Sequence, residues 1–310
     1  MQISIVLCTY NGAQYLREQL DSLIQQTMNW DELIIIDDAS TDGTVEILTQ
    51  FESNHKNVRL FIKPKNKGVT HRYEEGIRIA ACDYIFLCDQ DDVWEEKKLE
   101  RMIDVFKETD AKLVFSDAKC IDSSGDSLGY NLWDQMGFNK AERLQMMEGK
   151  GMLVTVRHNV ASACCMAFRN SLKRNILPIV HGYKHLLHDR FILAITVALY
   201  PDSVKFIDEQ LVYYRIHKDQ VMGLNQRQDS HGSSSRAEYY QAEAELIEQI
   251  LGRVEDAVYR RGHYFWTMRS QSQKLPFLRR FIILNTLFLE GDYKRFTNSP
   301  VRSALADLWA

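Results

Sequence analysis

Continuous apolar runs and helical-period runs take turns along the first part of the 310-residue chain. ISIVLC (3–8), ELIIID (32–37), VRLFIK (58–63), YIFLCD (84–89) and KLVFSDA (112–118) are apolar almost throughout and rich in β-branched residues. They predict strands, ISIVLC one covered on both faces. Between them Tyr15, Leu16, Leu20, Leu23 and Ile24 recur at helical spacing behind the Asn11-Gly12 turn. Further helices are predicted over TVEILTQF (44–51), THRYEEGIRIAA (70–81) and Glu95 to Glu108. Strict alternation of strand and helix predicts a doubly wound, parallel α/β sheet.

Beyond Ala118 the pattern loosens. NVASACCMAFRNSL (159–172) predicts a strand entering a helix, HDRFILAITVALY (188–200) a buried helix, and VKFIDEQLVYYRIH (204–217) a strand pair or one bent strand. Residues 219–236, rich in Gln, Ser, Gly and Asp, predict a flexible boundary before a helical remainder. The expected division is therefore 1–218, a linker at 219–236, and a helical extension at 237–310.

Composition narrows the functions. A net charge of −4 argues against a nucleic-acid partner, which needs a broad basic field. No basic region precedes ISIVLC and no cleavage site follows it, so it reads as a strand rather than a signal peptide. No apolar run is long enough to span a bilayer. The six cysteines form no C-x-x-C pair and most lie in apolar runs, which predicts buried thiols in a reducing cytoplasm rather than zinc or disulfides.

In doubly wound sheets ligands sit beyond the carboxyl ends of the strands. There this chain carries CTYNG, DDASTDG, NKG and CDQDD in turn. Asp89-Gln90-Asp91 is a D-x-D pair, able to hold a hard divalent cation that also bridges a diphosphate. The competing reading makes Asp92 a helix cap and leaves the other two as solvated loop charges. DDASTDG resembles a calcium loop only in part, because its twelfth position is Thr49 where a bidentate glutamate is needed. Asp38 is either a turn and cap residue or an acceptor for a nucleobase imide or a ribose hydroxyl.

SIVLCTYNGAQYL, LIIIDDASTDGT, NKGVTHRYEEGIRIAACDYIFLCDQDDVW, HDRFILA and YYRIH together resemble the family 2 inverting glycosyltransferases, in particular rhamnosyltransferase-like members that build bacterial surface polysaccharides. The resemblance runs from residue 2 to about 222 and leaves the C-terminal part uncovered. It implies a GT-A type α/β fold, a Rossmann-like, mostly parallel sheet flanked by helices, with a nucleotide-binding half at 1–92 and an acceptor half at 93–218. It implies a UDP- or dTDP-sugar donor, Mn²⁺ or Mg²⁺, and a saccharide or lipid-linked oligosaccharide acceptor in O-antigen, capsule or related assembly.

Carried over residue by residue, the resemblance puts Thr9 and Tyr10 at the nucleobase, Asn11 among the nucleotide-sugar-binding residues and Asp38 at the base or ribose. Asn66, Gly68 and Arg72 fall along the nucleotide-sugar cleft, with Arg72 standing where an asparagine is expected. Asp89 would lie near ribose and sugar hydroxyls, and Asp91 would be the principal metal ligand with Asp92 beside it. Asp189 falls at the base position, though it also precedes an apolar helical run as an ordinary cap would. Tyr213, Arg215 and His217 alternate on one strand face, which makes Arg215 a candidate phosphate contact and His217 a further metal or phosphate ligand. ASACC (161–165) is either a small-residue loop facing the acceptor or close packing at a strand end.

From Gln271 to Arg302 six Lys or Arg residues stand against two acids, interleaved with FLRRFIILNTLFL. Such a segment predicts peripheral contact with an anionic membrane, against a helical hairpin packed on the catalytic part or a homodimer contact. Two other functions remain: a sugar-phosphate nucleotidyltransferase, disfavoured by the absence of a Gly-rich phosphate loop, and a non-catalytic nucleotide-sugar-binding module, disfavoured by the intact acids.

Overall fold

The computed structural model describes residues 1–179, 181, 188–220, 233–254, 257–273, 275, 277–297 and 300–308. β1 (Ile3–Thr9), β2 (Glu32–Asp37), β3 (Val58–Ile62) and β4 (Tyr84–Cys88) are parallel, with α1 (Leu16–Ile24), α2 (Thr44–Asn54) and α3 (Val69–Ile79) in their connections. Every residue of β1 and β4 is buried, as expected for strands covered on both faces.

The chain continues through β5 (Val93–Trp94), α4 (Lys98–Glu108), β6 (Leu113–Ile121), β7 (Ser127–Asn131), α5 (Leu132–Met136), α6 (Lys140–Met147) and α7 (Gly151–Thr155). It then forms β8 (Met166–Arg169), α8 (Lys173–Ile176), α9 (His188–Leu199) and β9 (Val204–Arg215). Among the described residues these strands make one sheet in the order β3-β2-β1-β4-β8-β6-β9-β5, with β7 paired to β6.

The sheet is mixed, its β3-β2-β1-β4 half parallel and the rest partly reversed. β8 is antiparallel to both β4 and β6, and β5 is antiparallel to β9. Two reversals in succession leave β6 running the same way as β4, and β9 is parallel to β6. The carboxyl end of β9 therefore reaches the same sheet edge as those of β1, β2 and β4. The 204–217 segment is one strand whose register against β6 shifts near Ser116 and Asp117, so it is the bent strand and not the pair.

Two apolar layers flank the sheet. One packs α1, α2 and α4 through Leu16, Leu20, Leu48, Leu99, Met102 and Ile103. The other joins Tyr73 and Ile77 of α3 to Phe191 and Ile195 of α9 and on into the C-terminal helices. Those helices are α10 (Ser233–Leu251), α11 (Ala257–Ser272), α12 (Phe277–Leu289), α13 (Asp292–Phe296) and α14 (Pro300–Leu308). Trp266 Nε1 donates to the Val156 carbonyl at 3.0 Å, and Tyr259 Oη lies 2.7 Å from Thr155 Oγ1. Buried Arg190 of α9 pairs with buried Glu243 of α10. The C-terminal helices thus dock on the sheet's outer layer. The linker expected at 219–236 falls largely outside the described residues. All six cysteines are free and buried.

Candidate active site

The acidic loop lies between β4 and β5. Pairing of Val93 with Tyr213 and of Trp94 with Val212 lays the end of β9 alongside it. That register places His217 Nε2 3.0 Å from Asp91 Oδ2, with the Tyr15 ring against the imidazole at 4.8 Å. Asp89 is held from the other side: Tyr73 Oη lies 2.7 Å from both the Cys88 carbonyl and Asp89 Oδ1. Burial, then the neighbouring charge of Asp91, pushes the Asp89 carboxyl up to about 7, and Asp189 adds to the same effect. Three carboxylates, two from the loop after β4 and one from α9, therefore share one field that a cation would relieve.

Asp92 departs from its expected place beside Asp91. It has no exposed surface, and its Oδ1 accepts the Arg215 amide at 3.0 Å. It does not cap α4 either, because β5 and a turn intervene and Lys97 holds the cap position. Asp89, Asp92 and Cys164 bring ligand atoms within 4.8 Å of one another. Burial raises the Cys164 thiol well above its ordinary range, so it stays protonated and suits neither Mn²⁺ nor Mg²⁺. The accessible oxygen and nitrogen donors are those of Asp89, Asp91 and His217.

Arg215, the candidate phosphate contact, is turned toward the back of the acidic loop. It is 1% exposed, and its Nε donates to the Asp91 carbonyl at 2.9 Å while Nη2 pairs with Glu18. Its Nη1 reaches the Asp122 and Ser123 carbonyls, and its guanidinium stacks on Tyr15 at 4.8 Å. Alternation along β9 predicted the shared face but not the short reach to the loop backbone, which captures every arm of the guanidinium. Arg215 fixes the acidic loop from behind.

On the nucleotide side, Thr9 is buried, its hydroxyl donating to Asp37 Oδ1 at 2.9 Å, while Tyr10 is 44% exposed. Asn11 sits at φ 49°, and its Oδ1 accepts the Thr41 amide at 2.8 Å, tying the loops after β1 and β2 together. Asp38 is fully engaged. It accepts the Lys67 amide at 2.9 Å, the Gly68 amide at 2.8 Å and the Arg72 guanidinium. Arg72 also donates to Glu75 and to the Lys65 carbonyl, and both members of the pair are buried. Asp38, expected at the base or ribose, and Arg72, expected along the cleft, form a buried ion pair that shapes the loop before α3. Gly68 enters α3 at φ 90°, a conformation only glycine adopts cheaply, and nothing lies where its side chain would be. Asn66 is exposed on that loop.

Asp189 stands inside the first turn of α9, not before it, and its Oδ1 accepts the Arg190 amide at 2.6 Å. The preceding His188 is buried with its ring stacked on Tyr73 at 4.1 Å. In 161–165, Ala161, Ala163, Cys164 and Cys165 are all buried, with the last three in a 3₁₀ turn, so close packing prevails over an open acceptor loop.

The pattern of glycosyl transferase family 2 matches residues 4–175, more than half of the chain. The chain belongs to glycosyl transferase family 2. Like that family's members it is a glycosyltransferase, with the GT-A fold. It is 27% identical over 258 residues to an uncharacterised glycosyltransferase of Nostoc sp., across 81% of this chain and 74% of that protein. To the chondroitin synthase of Escherichia coli it is 36% identical over 132 residues, 42% of this chain but only 19% of that enzyme. S. aureus TarS in complex with UDP-GlcNAc superposes with a TM-score of 0.64 at 17% identity, covering 96% of this chain and 82% of that one.

Three residues of this family 2 site escape sequence reasoning. Gln90 bonds Tyr10 across the cleft floor. Tyr73 hides on the inner face of α3, where an aromatic reads as core. Lys98 is wholly buried beneath the acids, its Nζ donating to the Cys164 carbonyl and lying 3.3 Å from the Trp94 ring centre. Burial lowers that amine to about 8. An apolar helix stripe interrupted by one lysine under an acidic loop is the only signal that could have found it.

Proposed function

We propose that this glycosyltransferase moves a sugar, with inversion, from a UDP- or dTDP-sugar to a saccharide acceptor, free or lipid-linked, during surface polysaccharide assembly. The catalytic unit in this reading is residues 1–218. The observation that carries it is the meeting of Asp91 and His217 at 3.0 Å beside Asp89, on the sheet edge that also presents Tyr10. This donor set of hard oxygens and one imidazole fits Mn²⁺ or Mg²⁺. Held by Asp91 and His217, with the Asp89 charge nearby, such a cation would neutralise the charge of the departing diphosphate.

The chain's own residues do the rest. Tyr10 offers its exposed ring to the base, and the Asp38–Arg72 pair holds the wall of the pocket without touching the nucleotide. Asp189 takes the proton of the attacking acceptor hydroxyl as its oxygen bonds the anomeric carbon. The bond from that carbon to the phosphate oxygen breaks on the opposite face, and its electron pair leaves with the nucleoside diphosphate. The rhamnosyltransferase-like motifs support a deoxyhexose donor, and the likeness to chondroitin synthase supports a polysaccharide product.

The test is nucleotide release from a panel of UDP-glucose, UDP-N-acetylglucosamine and dTDP-rhamnose with Mn²⁺, Mg²⁺ or EDTA. Release that needs the metal, disappears in Asp91→Asn with donor binding, and disappears in Asp189→Asn without loss of donor binding is the expected result. Full transfer by Asp189→Asn would remove that residue as base, and metal-independent turnover would remove the cation.

A further inference from the structure

We infer that the outer face of α12 and α14 is a docking surface for an anionic lipid bilayer. The inference concerns where the enzyme works and holds whichever sugar is moved. α12 buries Leu284 and Leu287 against the C-terminal core, at 4% and 1% exposure. Its opposite face leaves Phe281, Ile282, Phe288 and Leu289 at 45%, 59%, 42% and 76% exposure. Positions 281, 282, 288 and 289 superpose after two helical turns, so the four form one stripe. α14 packs against α12 and exposes Val301 and Leu305 one turn apart, at 60% and 53%. Soluble surfaces seldom gather large apolar side chains this densely without a partner.

Charge selects the partner. Arg279 of α12, Lys294 and Arg295 of α13 and Arg302 of α14 are exposed on the same group of helices, and among the described residues no carboxylate pairs with any of them. The acids of the same helices are already neutralised: Glu290 and Asp292 pair with Arg261, and buried Asp307 pairs with Arg269. The chain as a whole carries −4, so this cationic rim runs against the overall sign. A symmetric contact between two copies through this face would set the same four cations against one another. Anionic headgroups complement them while the acyl boundary takes the stripe. No helix among the described residues is long and apolar enough to cross a membrane, so the contact lies in the interface plane.

The test is co-sedimentation of the full chain with vesicles of phosphatidylcholine alone or mixed with phosphatidylglycerol. Binding to the mixed vesicles, weakened by salt and absent with phosphatidylcholine alone, is expected. Lys294→Glu with Arg302→Glu should lower the bound fraction at least about tenfold, since each basic residue near an anionic surface contributes about a factor of five. Ile282→Ser with Leu289→Ser should do the same, both pairs keeping the parent melting temperature. Failure to bind anionic vesicles overturns the inference, as does undiminished binding by the charge-reversed pair, whose exposed sites leave folding intact. A dimer that the Ser pair converts to monomer with vesicle binding unchanged overturns it in favour of a second copy.

Discussion

Gln90 and Tyr10 grip each other through two hydrogen bonds. The Tyr10 amide donates to Gln90 Oε1 at 2.8 Å, and Gln90 Nε2 donates to the Tyr10 carbonyl at 3.0 Å. The middle residue of D-x-D thereby ties the loop that carries the acids to the loop that presents the exposed Tyr10 ring. Gly12 belongs to the same device, because a Cβ there would lie 2.2 Å from Gln90 Oε1. Losing two hydrogen bonds of about 1 kcal/mol each should raise the donor KM of Gln90→Ala by about tenfold or more. kcat at saturating donor should change far less. Gly12→Ala should show the same defect, and the double variant should be no worse than either single one, which a double-mutant cycle on donor KM will read.

The Asp38–Arg72 pair makes a stability prediction. Asp38→Ala would leave a buried guanidinium without its counter-charge and the Lys67 and Gly68 amides without an acceptor. The expected cost is about 3–5 kcal/mol, read from urea unfolding. Replacing both members by apolar residues often rescues such pairs. Here it should not, because the two orphaned amides remain. A fully stable Asp38→Leu/Arg72→Met variant would show that the amides find another acceptor.

These two pairs mark the limit of what the sequence discloses. β1 and β4 are legible because a strand covered on both faces must be apolar throughout, whereas β3, half-exposed at the sheet's edge, shows only as a short β-branched and aromatic run. The acids at their ends are legible because polar residues after such runs have only the sheet edge to occupy. The strand of 159–172 is legible as β8, but its place between β4 and β6 is not, since four residues carry no sign of which neighbours they separate, and β5 has only two residues. Which way an ion turns is also hidden. Asp38, Asp92 and Arg215 stand at the predicted edge but face inward, and their partners lie 34, 123 and 124 residues away.

Arg215 separates two ways of supporting the same reaction. Its contacts are the Asp91 carbonyl, Glu18 and the backbone behind the loop. Lysine cannot reproduce them, having one ammonium where the guanidinium makes several fixed contacts. Arg215→Lys should therefore raise the Mn²⁺ concentration needed for half-maximal donor hydrolysis, by about tenfold for the loss of one or two charge-assisted bonds. At saturating Mn²⁺ the donor KM should return close to the parent value. A KM that stays high at saturating metal would mean that the guanidinium reaches the phosphates after all.

His188 gives the protein a built-in sensitivity to acid. Neither ring nitrogen has a hydrogen-bond partner among the described residues, and burial lowers its pKa from 6.5 to about 3. In the folded chain the ring therefore stays neutral down to about 3, whereas in the unfolded chain it takes up a proton below about 6.5. Between those values the unfolded state binds more protons, so stability rises with pH and is lost as pH falls through that window. The slope from this one group approaches about 1.4 kcal/mol per pH unit at its steepest. His188→Phe keeps a flat ring against Tyr73 and has nothing to protonate. Its unfolding free energy in urea should match or exceed the parent's at pH 7.5, since two unpaired nitrogens are removed, and should fall less on going to pH 5. Equal losses in parent and variant would show that His188 finds a proton acceptor in the folded state, and that its burial is not what makes the enzyme acid-labile.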